Sequence, residues 1–303
     1  MAELVSGSLD DADLPALYRA ADRASLHGQR RQMRGVAVSL GLTLVAAVFG
    51  AFSLRFGGRP IDWSATAAAA AFIAAILVSA YLIQAEPASA WFDGRAAAES
   101  TKTLAWQYAV GGKRFRADGS NADEEMLTEL GQVSSQLGDL PILPSAADQE
   151  ITPRMRELRE APIEARVQAY TRGRIEQQIH WYTQMAQWNA KRASLWRLVT
   201  VALQGAGATG AILKASGVVK VDVLGIAAAA AAAAAAWLET KDHATLARAY
   251  TMTVHDLHLV RERLTILPSP LDEQSWAEFV NDAEQAISRE HTLWLARRGL
   301  LRK

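Results

Sequence analysis

Residues 35–54 read GVAVSLGLTLVAAVFGAFSL, 20 positions without a charge and rich in Val, Leu, Phe and Ala. As a helix rising about 1.5 Å per residue they reach roughly 30 Å, the thickness of a bilayer's hydrocarbon core. A turn containing Arg55, Gly57, Gly58, Arg59, Pro60 and Asp62 follows, and then residues 63–85, WSATAAAAAFIAAILVSAYLIQA, are again uncharged. Two such windows around a turn predict a transmembrane hairpin with helices near 35–54 and 64–84. The alternative, a helical hairpin buried in a large soluble domain, rarely shows two adjacent uncharged runs of this length.

Upstream, residues 1–13 form a polar, acidic tail without the apolar core of a secretory signal, so no cleaved leader is expected. Leu14 and Pro15 then open a helix carrying Arg19, Arg23, Arg30, Arg31 and Arg34. This basic run ahead of the first span puts the N-terminus in the cytoplasm by the positive-inside rule, and a hairpin returns the chain to the same side. Downstream, Trp91, Arg95, Glu99, Lys102 and Trp106 recur at helical spacing on one face until Gly111 and Gly112 stop the helix. Residues 117–150 then hold eight acidic and no basic residues, with Pro141 and Pro144, so 116–162 reads as an acidic linker with one short helix around 124–137.

The plan then repeats. A basic amphipathic run leads into an uncharged stretch, 198–213, a turn at 214–222 and a second uncharged stretch, 223–238, with ten consecutive alanines. Sixteen residues span only about 24 Å, and alanine drives insertion weakly. This hairpin therefore has two readings: a pair of short spans anchored by Trp196 and Trp237, or a helical hairpin packed within protein. A charged helix from Glu239 to about Leu264 follows, and Ser269 and Pro270 precede a last helix with an apolar stripe of Trp276, Phe279, Val280, Ala283, Ile287 and Trp294. The expectation is an all-α membrane protein: two repeated helix–transmembrane hairpin–helix units, at 14–115 and 163–303, with a helical cytoplasmic domain.

Composition narrows the chemistry. The chain has no cysteine, which excludes disulfides, thiolate metal sites and cysteine nucleophiles, and its 32 Lys plus Arg balance its 32 Asp plus Glu. His255 and His258 flank too few partners for a zinc site, and Ser288, Glu290 and His291 sit on successive helical positions that point different ways. Gly111, Gly112 and Lys113 lack the rest of a phosphate loop. No enzymatic reaction, cofactor or metal is indicated. The informative pattern lies in the first span, where Ser39, Thr43, Ala46 and Gly50 step by four, three and four. Small, weakly polar residues on one face serve either close helix contact or a wet lumen. Gln204, beside Gly205, Gly207 and Gly210, marks the third apolar helix in the same way.

With WFDGRAAAESTKTLAWQYAVGGKRF at 91–115, YTRGRIEQQIHWYTQMAQWNAKRASLW at 170–196 and FVNDAEQAISREHTLWLARR at 279–298, the chain resembles a tandem member of the SLATT superfamily. These are two-transmembrane effector domains associated with SMODS nucleotidyltransferases and SLOG sensors in bacterial conflict systems. The resemblance implies an effector of the inner membrane that assembles as a homo-oligomer, opens a pore in the lipid bilayer and disables an infected cell. Control would come from a nucleotide or oligonucleotide made by a partner nucleotidyltransferase. An anionic signal needs cations near the spans, and the candidates are Arg95 and Lys102 in the first unit and Arg172 and Arg174 in the second. Arg95 has an alternative in pairing with Glu99 one helical turn on, and Arg172 and Arg174 in holding their helix against Glu176 or the acidic linker. A non-conducting scaffold or sensor that binds partner proteins is the rival reading of the whole.

Overall fold

A computed structural model describes residues 8–53, 61–117, 119, 121–137 and 149–301, with side chains to Ser288. Residues 1–7 of the tail, 54–60 of the first hairpin tip and 118, 120 and 138–148 of the acidic stretch lie outside the described residues, as do the side chains of Glu290, His291 and Trp294. The helices are α1 Ala16–Gly50, α2 Trp63–Ala85, α3 Pro87–Val110, α4 Ala122–Ser135, α5 Pro153–Glu160, α6 Ile163–Tyr170, α7 Gln177–Ala215, α8 Val223–Lys241, α9 His243–Thr265 and α10 Glu273–Leu301. Among the described residues there is no strand, so the protein is all-α. The helices containing Ala16–Gly50, Trp63–Ala85, Gln177–Ala215 and Val223–Lys241 are each long and apolar enough to cross a membrane. The alanine-rich hairpin thus meets the same criterion as the first.

The ends of the helices follow from local chemistry. Asp62 caps α2 by accepting from the backbone amides of Ser64 at 3.1 Å and Ala65 at 3.2 Å. Thr152 caps α5 by accepting from the Met155 amide at 3.3 Å, with Pro153 as the first helical residue. Gly111, at φ +79°, ends α3 in a left-handed turn in which the Gly112 amide reaches back to the Gln107 carbonyl at 2.7 Å. In both copies of the plan an acidic residue with positive φ breaks the helix shortly after the apolar run, one residue past it in the first copy and four in the second. Glu86 (φ 38°) separates α2 from α3, and Asp242 (φ 46°) separates α8 from α9.

The chain divides into two compact units that do not coincide with the repeats. One gathers Met1–Gly28, Ser89–Ala186 and Arg248–Lys303; the other gathers Gln29–Ala88 and Gln187–Ala247. The first is a helical body around an aromatic core: Trp106 meets Tyr170 edge-on at 5.8 Å, Tyr170 meets Trp276 at 5.8 Å, and Trp276 stacks on Phe279 at 5.5 Å. The stretch expected as an acidic linker contributes to this core. Met126 and Leu130 of α4 and Met155 and Leu158 of α5 are buried. The acidic residues occupy the outer face of α4 while these four point inward, so counting charge conceals the amphipathic helix. The second unit holds both hairpins, and its large apolar side chains face outward, Leu77 being 64% and Ile212 69% exposed. In water such surface would drive association; lipid is its natural environment.

Candidate functional site

Within the hairpins the small residues set helix contacts. Ser39 and Ser79 share a hydrogen bond at 2.9 Å that joins α1 to α2, and the Ser39 hydroxyl also lies 3.5 Å from the Ala75 carbonyl. Thr43 turns its hydroxyl back to the Ser39 carbonyl at 2.9 Å, satisfying it where lipid offers no acceptor. Ala46 is buried, whereas Gly50 is exposed, with open space where a Cβ would stand. The stripe therefore divides: its first part meets α2, and at its last residue a Cβ would find no described atom within 4 Å. Gly35 belongs to the contact and was not singled out from sequence; a Cβ there would lie 2.5 Å from the Leu82 side chain.

In the second hairpin Gly207 lies against Ala227 and Leu224, and Gly210 against Val223. The facing residues Ala227, Ala231 and Ala234 are buried at steps of four and three, one face of α8. Gln204 and Gly205 are exposed on another face of α7. At the basic end, Asn189 and His243 are buried and joined at 2.7 Å, and Trp188 meets the His243 ring at 5.3 Å.

The four cationic candidates are all engaged by protein groups. Arg95 pairs with Glu99 at 2.7 Å, one turn along α3. Lys102 lies 3.5 Å from Asp11 and over the Tyr18 ring at 5.4 Å. Arg172 lies beside the Gln168 amide, 3.2 Å from its oxygen once that group is turned to face the guanidinium. Arg174 is 1% exposed and shut inside the helical body.

Arg174 belongs to a buried cluster that sequence reasoning missed. Its Nε donates to Glu284 Oε1 at 2.9 Å and its Nη2 to Oε2 at 2.8 Å, a two-pronged pair. The Tyr170 hydroxyl donates to Oε1 at 2.9 Å and the Thr103 hydroxyl to Oε2 at 2.8 Å, so the carboxylate accepts four hydrogen bonds. Burial pulls Arg174 down, but the charge and hydrogen bonds of Glu284 outweigh it and hold the guanidinium above its ordinary value. Burial, reinforced by the Glu284 charge, holds Tyr170 well above the usual phenol range. The guanidinium is thus kept charged and the phenol neutral. The sequence signal was Glu284 itself, one turn from Val280 and Ile287 on the apolar side of α10.

The cluster is seated by a π-helical turn, Thr171–Glu176, between α6 and α7. Gly173 within it passes so close to its neighbours that a Cβ would fall 2.3 Å from Ser8 Cβ and 2.9 Å from the Trp106 ring. Nearby, the C-terminal carbonyls of α3 are satisfied by donors from three other elements. Arg159 reaches the Tyr108 carbonyl at 3.0 Å, Arg166 reaches Val110 at 3.0 Å, and the Trp276 indole reaches Val110 at 2.7 Å. Among the described residues no group of three or more His, Asp or Glu side chains is placed to hold a metal ion.

No curated protein and no solved structure matches the chain. Two family models do. Residues 15–167 match SMODS and SLOG-associating 2TM effector domain 3, and residues 170–294 match SMODS and SLOG-associating 2TM effector domain 1. The boundary between these matches falls beside Tyr170, so the buried cluster joins Thr103 of the first to Tyr170, Arg174 and Glu284 of the second. With its spans in two hairpins and both matches covering nearly all of its length, the chain belongs to the SLATT family of two-transmembrane effector domains and carries two of them in tandem.

Proposed function

We propose that the protein is a non-enzymatic, homo-oligomeric effector of an anti-phage conflict system in the bacterial inner membrane. In this reading both termini are cytoplasmic, and a nucleotide or oligonucleotide from a partner nucleotidyltransferase opens a pore that disables the infected cell. The family association with conflict systems supports the setting. The observation that carries the pore is Gln204. This amide stands exposed in the uncharged run of α7, beside the open face at Gly205. A side-chain amide facing hydrocarbon is costly, so a second copy of the chain or a water-filled lumen is its natural cover. Gly50 offers a similar uncovered position at the far end of the first span.

Ion release from proteoliposomes tests the proposal. The reconstituted protein should release entrapped ions when the nucleotide product of its partner is added, and Gln204→Leu or Gly50→Leu should lower that release while Phe72→Leu does not. A folded, reconstituted protein that stays tight with and without the nucleotide would remove the pore and favour the scaffold or sensor. That rival draws on the finding that Arg95, Lys102, Arg172 and Arg174 already have protein partners.

A further inference from the structure

The second hairpin carries an open crevice of about 480 Å³ between α7 and the end of α8. Val201, Ala235 and Leu238 supply apolar wall, and Arg197, Glu239 and Asp242 supply charge. Its level is set by sequence: the uncharged run of α7 begins immediately after Arg197, and that of α8 ends immediately before Glu239. The crevice therefore sits where both helices pass from apolar to charged, flanked in sequence by Trp196 and Trp237, side chains that favour the region between tails and water.

The three charges are of both signs and line one space, yet among the described residues none of them forms an ion pair. Arg197 uses its Nε on the Ala193 carbonyl at 3.2 Å, which leaves the terminal guanidinium nitrogens for another acceptor. Two further cations of these helices lie over aromatic faces, Lys241 over Trp237 at 5.0 Å and Arg192 over Trp188 at 5.2 Å. The lining thus offers one cation, two carboxylates and an apolar wall, with a formal charge of −1 that disfavours a purely anionic occupant.

We propose that this crevice seats a phospholipid whose head group joins a phosphate to a primary ammonium, phosphatidylethanolamine being the simplest. The phosphate sits on Arg197, the ammonium donates to Glu239 and Asp242, and an acyl chain follows Val201, Ala235 and Leu238 into the span. Guanidinium and phosphate match in geometry, and an ammonium has three N–H donors for two carboxylates. A trimethylated head group has the same charge and no donor. A glycerol head group has no cation at all. The site is independent of conduction, so it stands or falls separately from the pore.

The experiment uses the full chain in a mild detergent, with phosphatidylethanolamine, phosphatidylcholine and phosphatidylglycerol of identical acyl chains, and native mass spectrometry to rank bound lipid. Phosphatidylethanolamine should bind about tenfold more tightly than phosphatidylcholine, the scale of charge-assisted hydrogen bonds gained or lost. In Glu239→Gln with Asp242→Asn that difference should vanish, with helicity by circular dichroism unchanged. Arg197→Gln should weaken both lipids alike, because both carry the phosphate. Equal binding of the two lipids to the unaltered chain, a preference that survives the double variant, or tighter binding of phosphatidylglycerol would each overturn the proposal.

Discussion

Replacing Glu284 with Gln keeps the shape of the side chain but leaves the Arg174 guanidinium, 1% exposed, without a counter-charge. Breaking a buried pair from one side costs about 3–5 kcal/mol, because the remaining ion cannot reach water and loses the carboxylate that held it. Glu284→Gln should therefore lower the unfolding midpoint in detergent strongly, and Arg174→Met in the same chain should recover much of the loss. Gln would still accept from Tyr170 or Thr103. A double variant as unstable as the sum of the single ones would show that the two side chains are not coupled. This site was the least legible part of the sequence. Arg174 drew attention as a cation for a ligand, and its partner lies 110 residues away on α10, a separation that no local spacing reveals.

At the scale of helices, legibility followed the severity of the physical constraint. Lipid tolerates few charges over some 20 residues, so the first two spans could be read directly, while the 16-residue alanine-rich runs left two readings open; a helix in water needs only one apolar face, and in α4 four positions separate Met126 from Leu130 amid a run of acids. Helix contact through glycine was equally hidden, since only the fold tells which glycine is pressed. A Cβ at Gly94 of α3 would meet the Ser25 amide nitrogen at 2.8 Å and the Ala21 carbonyl oxygen at 2.9 Å, both backbone atoms of α1. The same seam carries the hydrogen bond from the Ser25 hydroxyl to the Trp91 carbonyl at 2.9 Å. Gly94→Ala should force the two helices apart and cost roughly 1–3 kcal/mol. Gly131 of α4 has no atom within 4 Å of that position, so Gly131→Ala should gain about 0.5–1 kcal/mol from helix propensity alone. Thermal unfolding of both variants, with opposite shifts expected, measures the difference; shifts of the same sign would contradict it.

For the molecule as a whole, the response to alkali follows from three phenols of the helical body. Tyr18, Tyr108 and Tyr170 are each raised above 10.0, with burial as the largest cause and carboxylate neighbours adding to it. Below about pH 10 these phenols are neutral whether the chain is folded or not, and their contribution is fully present. Above that value the unfolded chain releases protons that the folded chain retains, so stability must fall as pH rises. The unfolding midpoint should hold to about pH 9 and drop steeply by about pH 11, with a shallower drop in Tyr170→Phe. An unchanged slope in that variant would place the sensitivity elsewhere. The cluster around Glu284 has a further consequence for the order in which the protein is made. Both hairpins are complete by Lys241, but the carboxylate that neutralises Arg174 arrives with α10. During synthesis the nascent chain can deliver its spans to the bilayer while its body still lacks the group that allows Arg174 to leave water. Closure of the body is thereby deferred until α10 has been made, after both hairpins, and a ribosome that stalls before Glu273 leaves a chain with its hairpins complete and its body unclosed, the kind of species that quality-control proteases remove.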